Sequence, residues 1–288
     1  MVDGRILQPL RSLTSQPSIT ARVTAGSIEL LTADSTLPRL LIWQRPLLTL
    51  PESLAQLRVL LRNGYVIVSE YDDDPDRWPA IAAHQHLVFR GVHAVQVSTE
   101  PLAAAIRPHN PELAVFANAL AALPQPTSFP AEGGGPLRLF FGALNREADW
   151  APWIGALNRV FAAAPERWQV EVVHDRAFNH CKSDLKAIEA GGHGLAILAS
   201  PVVYGGSLQD GEKGRLFTTD AQLEEILQGW LANPAAAQAM GLRARQSVAS
   251  SRLQQHQAPA RQAWYRSLWE RREKLTAQLL ERVPQLRL

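Results

Sequence analysis

Short runs of apolar residues alternate with helical patterns along the first part of the chain. The runs at 40–43, 65–69 and 94–98 are rich in Leu, Ile and Val, and another short run follows at 114–116. Between the first two runs, leucines follow helical spacing at 54, 57, 60 and 61. Strands that alternate with helices form parallel, doubly wound sheets. The pattern therefore predicts a Rossmann-like α/β domain.

A second α/β unit is predicted after a stretch rich in proline and glycine. Prolines at 124 and 126 and glycines at 133–135 suit an interdomain linker. Strand and helix patterns then alternate again, at 137–141, 150–164, 170–173, 183–190 and 196–199, and the tail is helical from about 221. We expect an N-terminal domain over 1–126, a second over 136–258 and a C-terminal helix over 259–288.

Composition and charge narrow the class of protein. The 288 residues are 46% hydrophobic and 19% charged, which is typical of a globular protein. A formal net charge of +2 is too small to indicate a nucleic-acid partner. The lone cysteine, Cys181, cannot form an internal disulfide, and neither a secretory signal nor a membrane-spanning apolar run is visible. We therefore expect a cytoplasmic protein.

Motifs in both halves resemble those of one enzyme family. The first half carries Val97-Ser98-Thr99-Glu100-Pro101-Leu102-Ala103 and then Val115-Phe116-Ala117-Asn118. The second half carries Leu185-Lys186-Ala187-Ile188-Glu189-Ala190, then Gly194 to Ser200, then Asp210-Gly211-Glu212-Lys213-Gly214-Arg215-Leu216-Phe217. In this order the segments resemble bacterial GT-B glycosyltransferases of the retaining type (glycosyltransferase group 1, family 4). The resemblance covers most of residues 40–270.

The resemblance implies a fold and an activity. The fold would be two Rossmann-like domains with a C-terminal helix that packs back on the first. The activity would be transfer of a sugar from a nucleotide-activated donor to a glycan or lipid-linked acceptor, in cell-surface polysaccharide synthesis. Enzymes of this architecture generally need no metal, and no cofactor is expected. A dinucleotide-dependent enzyme is a weaker alternative, because no G-x-G-x-x-G turn is present.

Six residues are candidates for binding the donor. A departing diphosphate needs fixed hydrogen-bond donors and cations. Glycine after a strand and cations or hydroxyls at a helix start can supply them, although an ordinary βα turn also explains the glycine. The resemblance assigns the ribose hydroxyls to a glutamate in the second half. The candidates are Gly142, Arg146, Lys182, Ser183, Lys186 and Glu189.

One position departs from the family pattern. Many members place a glutamate eight positions before the one that matches Glu189, and here that position is Cys181. The paired carboxylates are thus absent, and Lys182 and Lys186 could take over the missing role.

The acceptor side has three candidate catalytic residues, Asp72, Asp73 and His93. The acidic turn Asp72-Asp73-Asp74 follows a strand, and loops at the carboxyl ends of parallel strands face the ligand cleft. A helix cap explains the same turn equally well. A metal site is not expected there, because GT-B enzymes generally act without one. His93 begins a strand and is more often a core residue than a base.

The junction between the strand at 170–173 and the turn at 179 is too short for a complete second domain. Only five residues, 174–178, lie there, whereas a βαβ unit takes roughly 30 residues. We therefore expect a reduced parallel sheet in the second domain. This shortening also favours an alternative function, in which the chain is a non-catalytic binding or scaffold protein.

The C-terminal helix is basic and amphipathic. Seven basic side chains against three acidic ones over 261–287 leave a local charge of +4. Packing over the first domain is the favoured interpretation, because the arginines surround the helix instead of lying on one face. Contact with an anionic membrane surface is the alternative.

Overall fold

The computed structural model describes residues 3–15, 19–28, 30, 37–129, 135–143, 151–174 and 184–287. The chain forms two compact units. The first unit comprises residues 1–121 together with 254–288, and the second comprises 122–253. The candidate donor residues Arg146, Lys182 and Ser183, and also Cys181, lie outside the described residues.

The first unit is built on a four-stranded parallel sheet. Its strands lie in the order β1-β2-β3-β4, with β1 (Leu40–Gln44), β2 (Val66–Tyr71), β3 (Ala94–Val97) and β4 (Leu113–Val115). The helices of this part are α1 (Gln8–Thr14), α2 (Ser53–Arg62), α3 (Pro79–Ala83), α4 (Leu87–Arg90) and α5 (Glu100–Ile106). The predicted strands and their parallel arrangement are confirmed.

Local signals place two of these helix ends. Gly64 follows α2 with φ of +71°, a left-handed conformation that glycine adopts without strain. Thr99 precedes α5, and its hydroxyl accepts a hydrogen bond from the Leu102 amide at 3.3 Å. This contact satisfies an amide that the helix itself leaves unpaired.

The described part of the second unit contains two separate pairs of parallel strands. β5 (Leu137–Ala143) pairs with β6 (Trp168–His174), and β7 (Ile197–Ala199) pairs with β8 (Gly214–Leu216). The helices are α6 (Ile154–Ala163), α7 (Leu185–Gly192), α8 (Pro201–Tyr204), α9 (Asp220–Ala232) and α10 (Pro234–Ser251). Among the described residues, the reduced parallel sheet predicted for the second domain is found as these two pairs. Sequence analysis did not foresee β8 or α8.

Two C-terminal helices cover one face of the first unit's sheet. They are α11 (Gln254–Glu270) and α12 (Arg272–Arg282). Leu268 and Leu275 pack in one buried cluster with Val66, Val68 and Ala94 of the sheet. The expected return of the chain's C-terminal helix onto the first domain is confirmed.

None of the described helices is long and apolar enough to span a membrane.

Candidate functional site

The acidic turn after β2 is organised by an arginine from the neighbouring strand end. Arg45 follows β1, and its Nε lies 2.6 Å from Oδ1 of Asp72 while its Nη2 lies 3.6 Å from Oδ2 of Asp73. Asp74 instead accepts a hydrogen bond from the Asp76 amide at 3.1 Å and caps a short 3-10 turn. The structure thus brings Asp72 and Asp73 together at one cation. Sequence analysis did not identify Arg45.

His93 is buried between the sheet and the C-terminal helices. Its Nδ1 accepts a hydrogen bond from the Ile67 amide at 2.9 Å, and its Nε2 lies 3.1 Å from the Thr276 hydroxyl. Burial and the nearby Arg282 lower the pKa of His93 to about 4, so the ring is neutral at pH 7. Both ring nitrogens are therefore engaged in joining β2 to α12.

Polar side chains lie in a row at the carboxyl end of the same sheet face. Gln44 of β1 is in register with Glu70 of β2, which is in register with Gln96 of β3. Alternate residues of a strand point to one face, so this row continues the apolar face of Val66 and Val68. We refer to Gln44, Glu70 and Gln96 as the polar row.

The N-terminal segment contributes an arginine to the polar row. Arg5 donates from Nε to Oε1 of Glu70 at 2.7 Å, and from Nη1 to the Phe116 carbonyl at 2.8 Å and Oδ1 of Asn118 at 3.1 Å. Arg5 is 5% exposed and Glu70 is fully buried. Desolvation raises the pKa of Glu70 to about 7, and the charge of Arg5 partly opposes this rise.

Helix α11 contributes two side chains, Tyr265 and Arg261, next to the polar row. The Tyr265 hydroxyl donates to Oε1 of Gln96 at 2.6 Å, and burial raises the pKa of Tyr265. The Arg261 guanidinium lies 4.0 Å from the centre of the Phe116 ring and is 2% exposed. We call this group of residues the buried polar cluster, consisting of Arg5, Glu70, Gln96, Asn118, Arg261 and Tyr265.

Sequence analysis missed the buried polar cluster. One signal was available, because Glu70 is a charged residue inside an otherwise buried strand and stands at its carboxyl end. In open α/β sheets that edge is where ligands bind. Its partner, Arg5, stands 65 positions earlier in the chain, which no local pattern reveals.

On the donor side, the described candidates lie on β5 and α7. Gly142 is in register with Val173 near the end of β5. Lys186 and Glu189 are exposed and three residues apart on α7, so they share one helix face. Neighbouring atoms partly desolvate the carboxyl and raise the pKa of Glu189, although Lys186 and His193 act in the opposite direction.

Helix α7 is fixed firmly to α10. Asp184, just before α7, is held by two hydrogen bonds of 2.7 Å from Arg252. At the other end of α7, Arg245 donates to the carbonyl of Gly192, the last residue of the helix. Arg245 also donates to the Pro124 carbonyl at 2.6 Å. The position of Glu189 within the second unit is thus set by contacts at both ends of its helix.

The Asp-Gly motif before β8 forms a closed loop. Oδ1 of Asp210 accepts a hydrogen bond from the Leu216 amide at 2.7 Å and lies 3.3 Å from Nε of Arg215. This carboxylate therefore fixes the turn that leads into β8.

Within the described ranges, no group of three or more His, Cys, Asp or Glu side chains could hold a metal ion.

Comparison with solved structures finds GT-B glycosyltransferases. TarM has a TM-score of 0.54 at 10% identity, covering 74% of this chain and 58% of TarM. HepE of Anabaena, solved in complex with UDP-glucose, has a TM-score of 0.53 at 11% identity and covers 74% of this chain and 76% of HepE. A mutant of S. aureus TarM with Fondaparinux, alpha-GlcNAc-glycerol and UDP has a TM-score of 0.53 at 10% identity.

These similarities establish the fold. The chain has the two-domain, Rossmann-like architecture of GT-B proteins. It spans 58% of the length of TarM. No family model matches the sequence, and no curated protein matches it.

Proposed function

We propose that the chain is a metal-independent glycosyltransferase that moves a sugar from a nucleotide-activated donor to a glycan or lipid-linked acceptor, with retention. The observation that carries the proposal is the combination of a GT-B fold with a carboxylate, Glu189, on a helix fixed at both ends. We further propose that the reaction takes place in the cytoplasm, in the synthesis of cell-surface polysaccharide.

In this proposal the second unit binds the donor. Glu189 accepts hydrogen bonds from the ribose hydroxyls, which are charge-assisted and so stronger than neutral ones. Lys186 stands on the same face of α7 and supplies positive charge for the diphosphate. Gly142, Arg146, Lys182 and Ser183 complete the donor site. The solved complexes of HepE with UDP-glucose and of TarM with UDP support a uridine nucleotide as the first choice.

The first unit contributes the acceptor side. Asp72 and Asp73 stand at the carboxyl edge of the sheet, where their charge is balanced by Arg45. Their oxygens can accept hydrogen bonds from an acceptor hydroxyl. His93 supports this edge from inside the core by joining β2 to α12.

Calorimetric titration with a panel of nucleoside diphosphates tests the donor site. Glu189→Ala should weaken binding of UDP by about 1–3 kcal/mol through loss of charge-assisted hydrogen bonds. Glu225→Ala is the matched control, because Glu225 is an exposed glutamate on α9 of the same unit. Equal affinity of the folded Glu189→Ala variant and the wild type would remove Glu189 from the site.

A non-catalytic binding or scaffold protein is the second candidate function. The observation that favours it is the pair of separate two-stranded sheets in the described part of the second unit. A smaller sheet offers less backbone to surround a nucleotide. If no nucleoside diphosphate binds the folded wild type at millimolar concentration, this second function replaces the first.

A further inference from the structure

A polar pocket lies in the second unit, between the loop that leads into β8 and one face of α10. Its volume is about 330 Å³, and small-molecule sites in proteins have volumes of roughly 300–1,000 Å³. We call it the loop–helix pocket, and the residues that line it are Glu212, Lys213, Arg243, Gln246, Ser247 and Ser250. Every one of them is polar or charged, so the pocket suits a strongly polar ligand.

Both walls of the loop–helix pocket are held in place. In the loop, the amides of Glu212 and Lys213 donate to the Gln209 carbonyl at 3.2 and 3.1 Å. The four lining residues of α10 follow one another at helical spacing, so they share one face of the helix. Arg243 joins the two walls, because its Nε donates to the backbone carbonyl of Glu212 at 2.8 Å. The pocket is therefore formed before a ligand binds.

Positive charge and hydrogen-bond donors prevail in the loop–helix pocket. Lys213 and Arg243 bring two positive charges and only donate hydrogen bonds, against the single carboxylate of Glu212. In the described part of the second unit the ion pairs involve other arginines, so neither cation of the pocket is paired with a described carboxylate. The Ser247 hydroxyl and the Gln246 amide can donate as well. The complementary ligand is an anion whose oxygens accept several hydrogen bonds.

A phosphate group has this chemistry. At neutral pH it carries a charge of about −1.5 to −2 and three oxygens that accept hydrogen bonds strongly. A guanidinium can bind two of these oxygens at once, and a lysine ammonium binds phosphate as a point charge. An inorganic phosphate ion is too small to fill the pocket, so the remaining volume suits an attached organic group with hydroxyls. Ser247, Ser250 and Gln246 can exchange hydrogen bonds with such hydroxyls.

The loop–helix pocket is separate from the candidate donor site. It precedes β8, at the amino end of a strand that runs parallel to β7. Ligands of open parallel sheets bind beyond the carboxyl ends of the strands. None of the residues that line the pocket is a donor candidate. The pocket is thus a second site, and not an extension of the first.

We propose that the loop–helix pocket binds a small organic molecule that carries a phosphate group. Lys213 and Arg243 bind the phosphate, and the serine and glutamine side chains of α10 bind the hydroxyls of the organic part. This site goes beyond the proposed transferase function, because neither the donor nor the acceptor of that reaction occupies it.

Isothermal titration calorimetry on the full chain tests the proposal. The probes are ribose 5-phosphate and glycerol 3-phosphate at millimolar concentration, with ribose and inorganic phosphate for comparison. At least one organic phosphate should bind, more tightly than inorganic phosphate and far more tightly than ribose. Absence of binding by both organic phosphates would overturn the proposal. Equal affinity for inorganic phosphate would reject an organic ligand, and equal affinity for ribose would reject recognition of the phosphate.

Three charge variants locate the bound phosphate. Lys213→Gln and Arg243→Gln should each weaken binding of the organic phosphate about tenfold or more, because each removes a charge-assisted hydrogen bond. Lys213→Gln also keeps the bond between the two walls, which Arg243→Gln removes. Glu212→Gln should strengthen binding about twofold to fivefold, because it removes a like charge and keeps the backbone carbonyl that Arg243 contacts.

Arg167→Gln is the matched control, because Arg167 is an exposed arginine of the same unit that does not line the pocket. It should bind the organic phosphate as the wild type does. Near-ultraviolet circular dichroism confirms that each variant is folded. Equal affinity of folded Lys213→Gln and the wild type, or weaker binding by Glu212→Gln, would overturn the proposal.

A titration in excess UDP separates this site from the donor site. The organic phosphate should bind with the same affinity with and without UDP, and Lys213→Gln should bind UDP as the wild type does. Displacement of the organic phosphate by UDP would place it in the donor site and reject the loop–helix pocket. Binding of the organic phosphate without any binding of UDP would support the pocket and reject the donor half of the proposed function.

Discussion

The packing of α7 against α10 gives the sharpest test of the second unit. Gly241 of α10 lies against the turn that follows α7. A Cβ built at Gly241 would overlap the Gly194 carbonyl oxygen and stand 2.7 Å from the Gly194 carbonyl carbon. Backbone atoms cannot rotate away as a side chain can. Gly241→Ala must therefore push α10 away from the helix that carries Glu189.

The expected magnitude follows from two opposing effects. Alanine stabilises a helix interior by about 1 kcal/mol relative to glycine. Overpacking typically costs about 1–3 kcal/mol, and more where the backbone cannot yield. With a contact this short, we expect Gly241→Ala to destabilise the second unit by at least about 2 kcal/mol. That corresponds to a fall in melting temperature of roughly 8 °C for a domain of this size.

Gly229→Ala is the matched control for differential scanning calorimetry. Gly229 lies inside α9 of the same unit, and a Cβ there would meet no atom within 4 Å. Gly229→Ala should raise the melting temperature by a few degrees, by about 1 kcal/mol in stability. The reasoning is refuted if Gly241→Ala raises the melting temperature as Gly229→Ala does. A loss of UDP affinity in Gly241→Ala would further connect this packing to Glu189.

Three further predictions concern pH, the C-terminal helix and metal. Because burial raises the pKa of Glu70 to about 7, above its usual 4.5, wild-type stability should fall as the pH rises from about 4.5 to about 7, and denaturant titrations of Glu70→Gln should show a smaller fall. Arg282 donates to the Val92 carbonyl at 2.8 Å, so Arg282→Gln should lower the free energy of unfolding by about 1–2 kcal/mol, whereas the exposed Arg266→Gln should have little effect. Chelation with EDTA should leave sugar transfer intact, and a complete loss restored by manganese would contradict metal independence.

Local patterns in the sequence were sufficient for the four strands of the first unit and for helices α2 and α5, but not for α1, α3 and α4. The apolar run that became Val66–Tyr71 fits a strand buried on both faces, as expected in a parallel sheet. Thr99 signals a helix start through a bond to an amide three residues away. Such features depend on neighbours in the chain, so the sequence alone can reveal them.

Long-range contacts account for what was not predicted. Arg45 and Asp72 are 27 positions apart, and Arg5 and Asn118 are 113 apart. The sequence does not distinguish an arginine on the protein surface from one in the core. Arg261 is an example, because it is only 2% exposed. Only the fold decides which charged groups meet. For the same reason the sequence placed Asp72 and Asp73 after a strand but did not reveal that Arg45 would lie against them.

The candidate donor site was predicted mainly from motifs that resemble those of the family, and less from the spacing of apolar and charged residues. The motif glutamate, Glu189, lies on a helix, as the sequence predicted, and contacts with Arg252 and Arg245 hold the ends of that helix. The Asp-Gly motif is explained by the closed loop of Asp210, whose carboxylate bonds to the backbone of β8. The motif alone could not distinguish this backbone contact from a ligand contact.

Hydrogen–deuterium exchange with and without UDP-glucose tests directly whether α7 belongs to the donor site. We predict slower exchange of backbone amides in α7 (Leu185–Gly192) on addition of the nucleotide sugar, with no change in α7 of Glu189→Ala. Amides of the first unit's sheet should exchange at unchanged rates. Unchanged exchange throughout the second unit at millimolar UDP-glucose, or protection confined to the first unit, would contradict the assignment of the donor site.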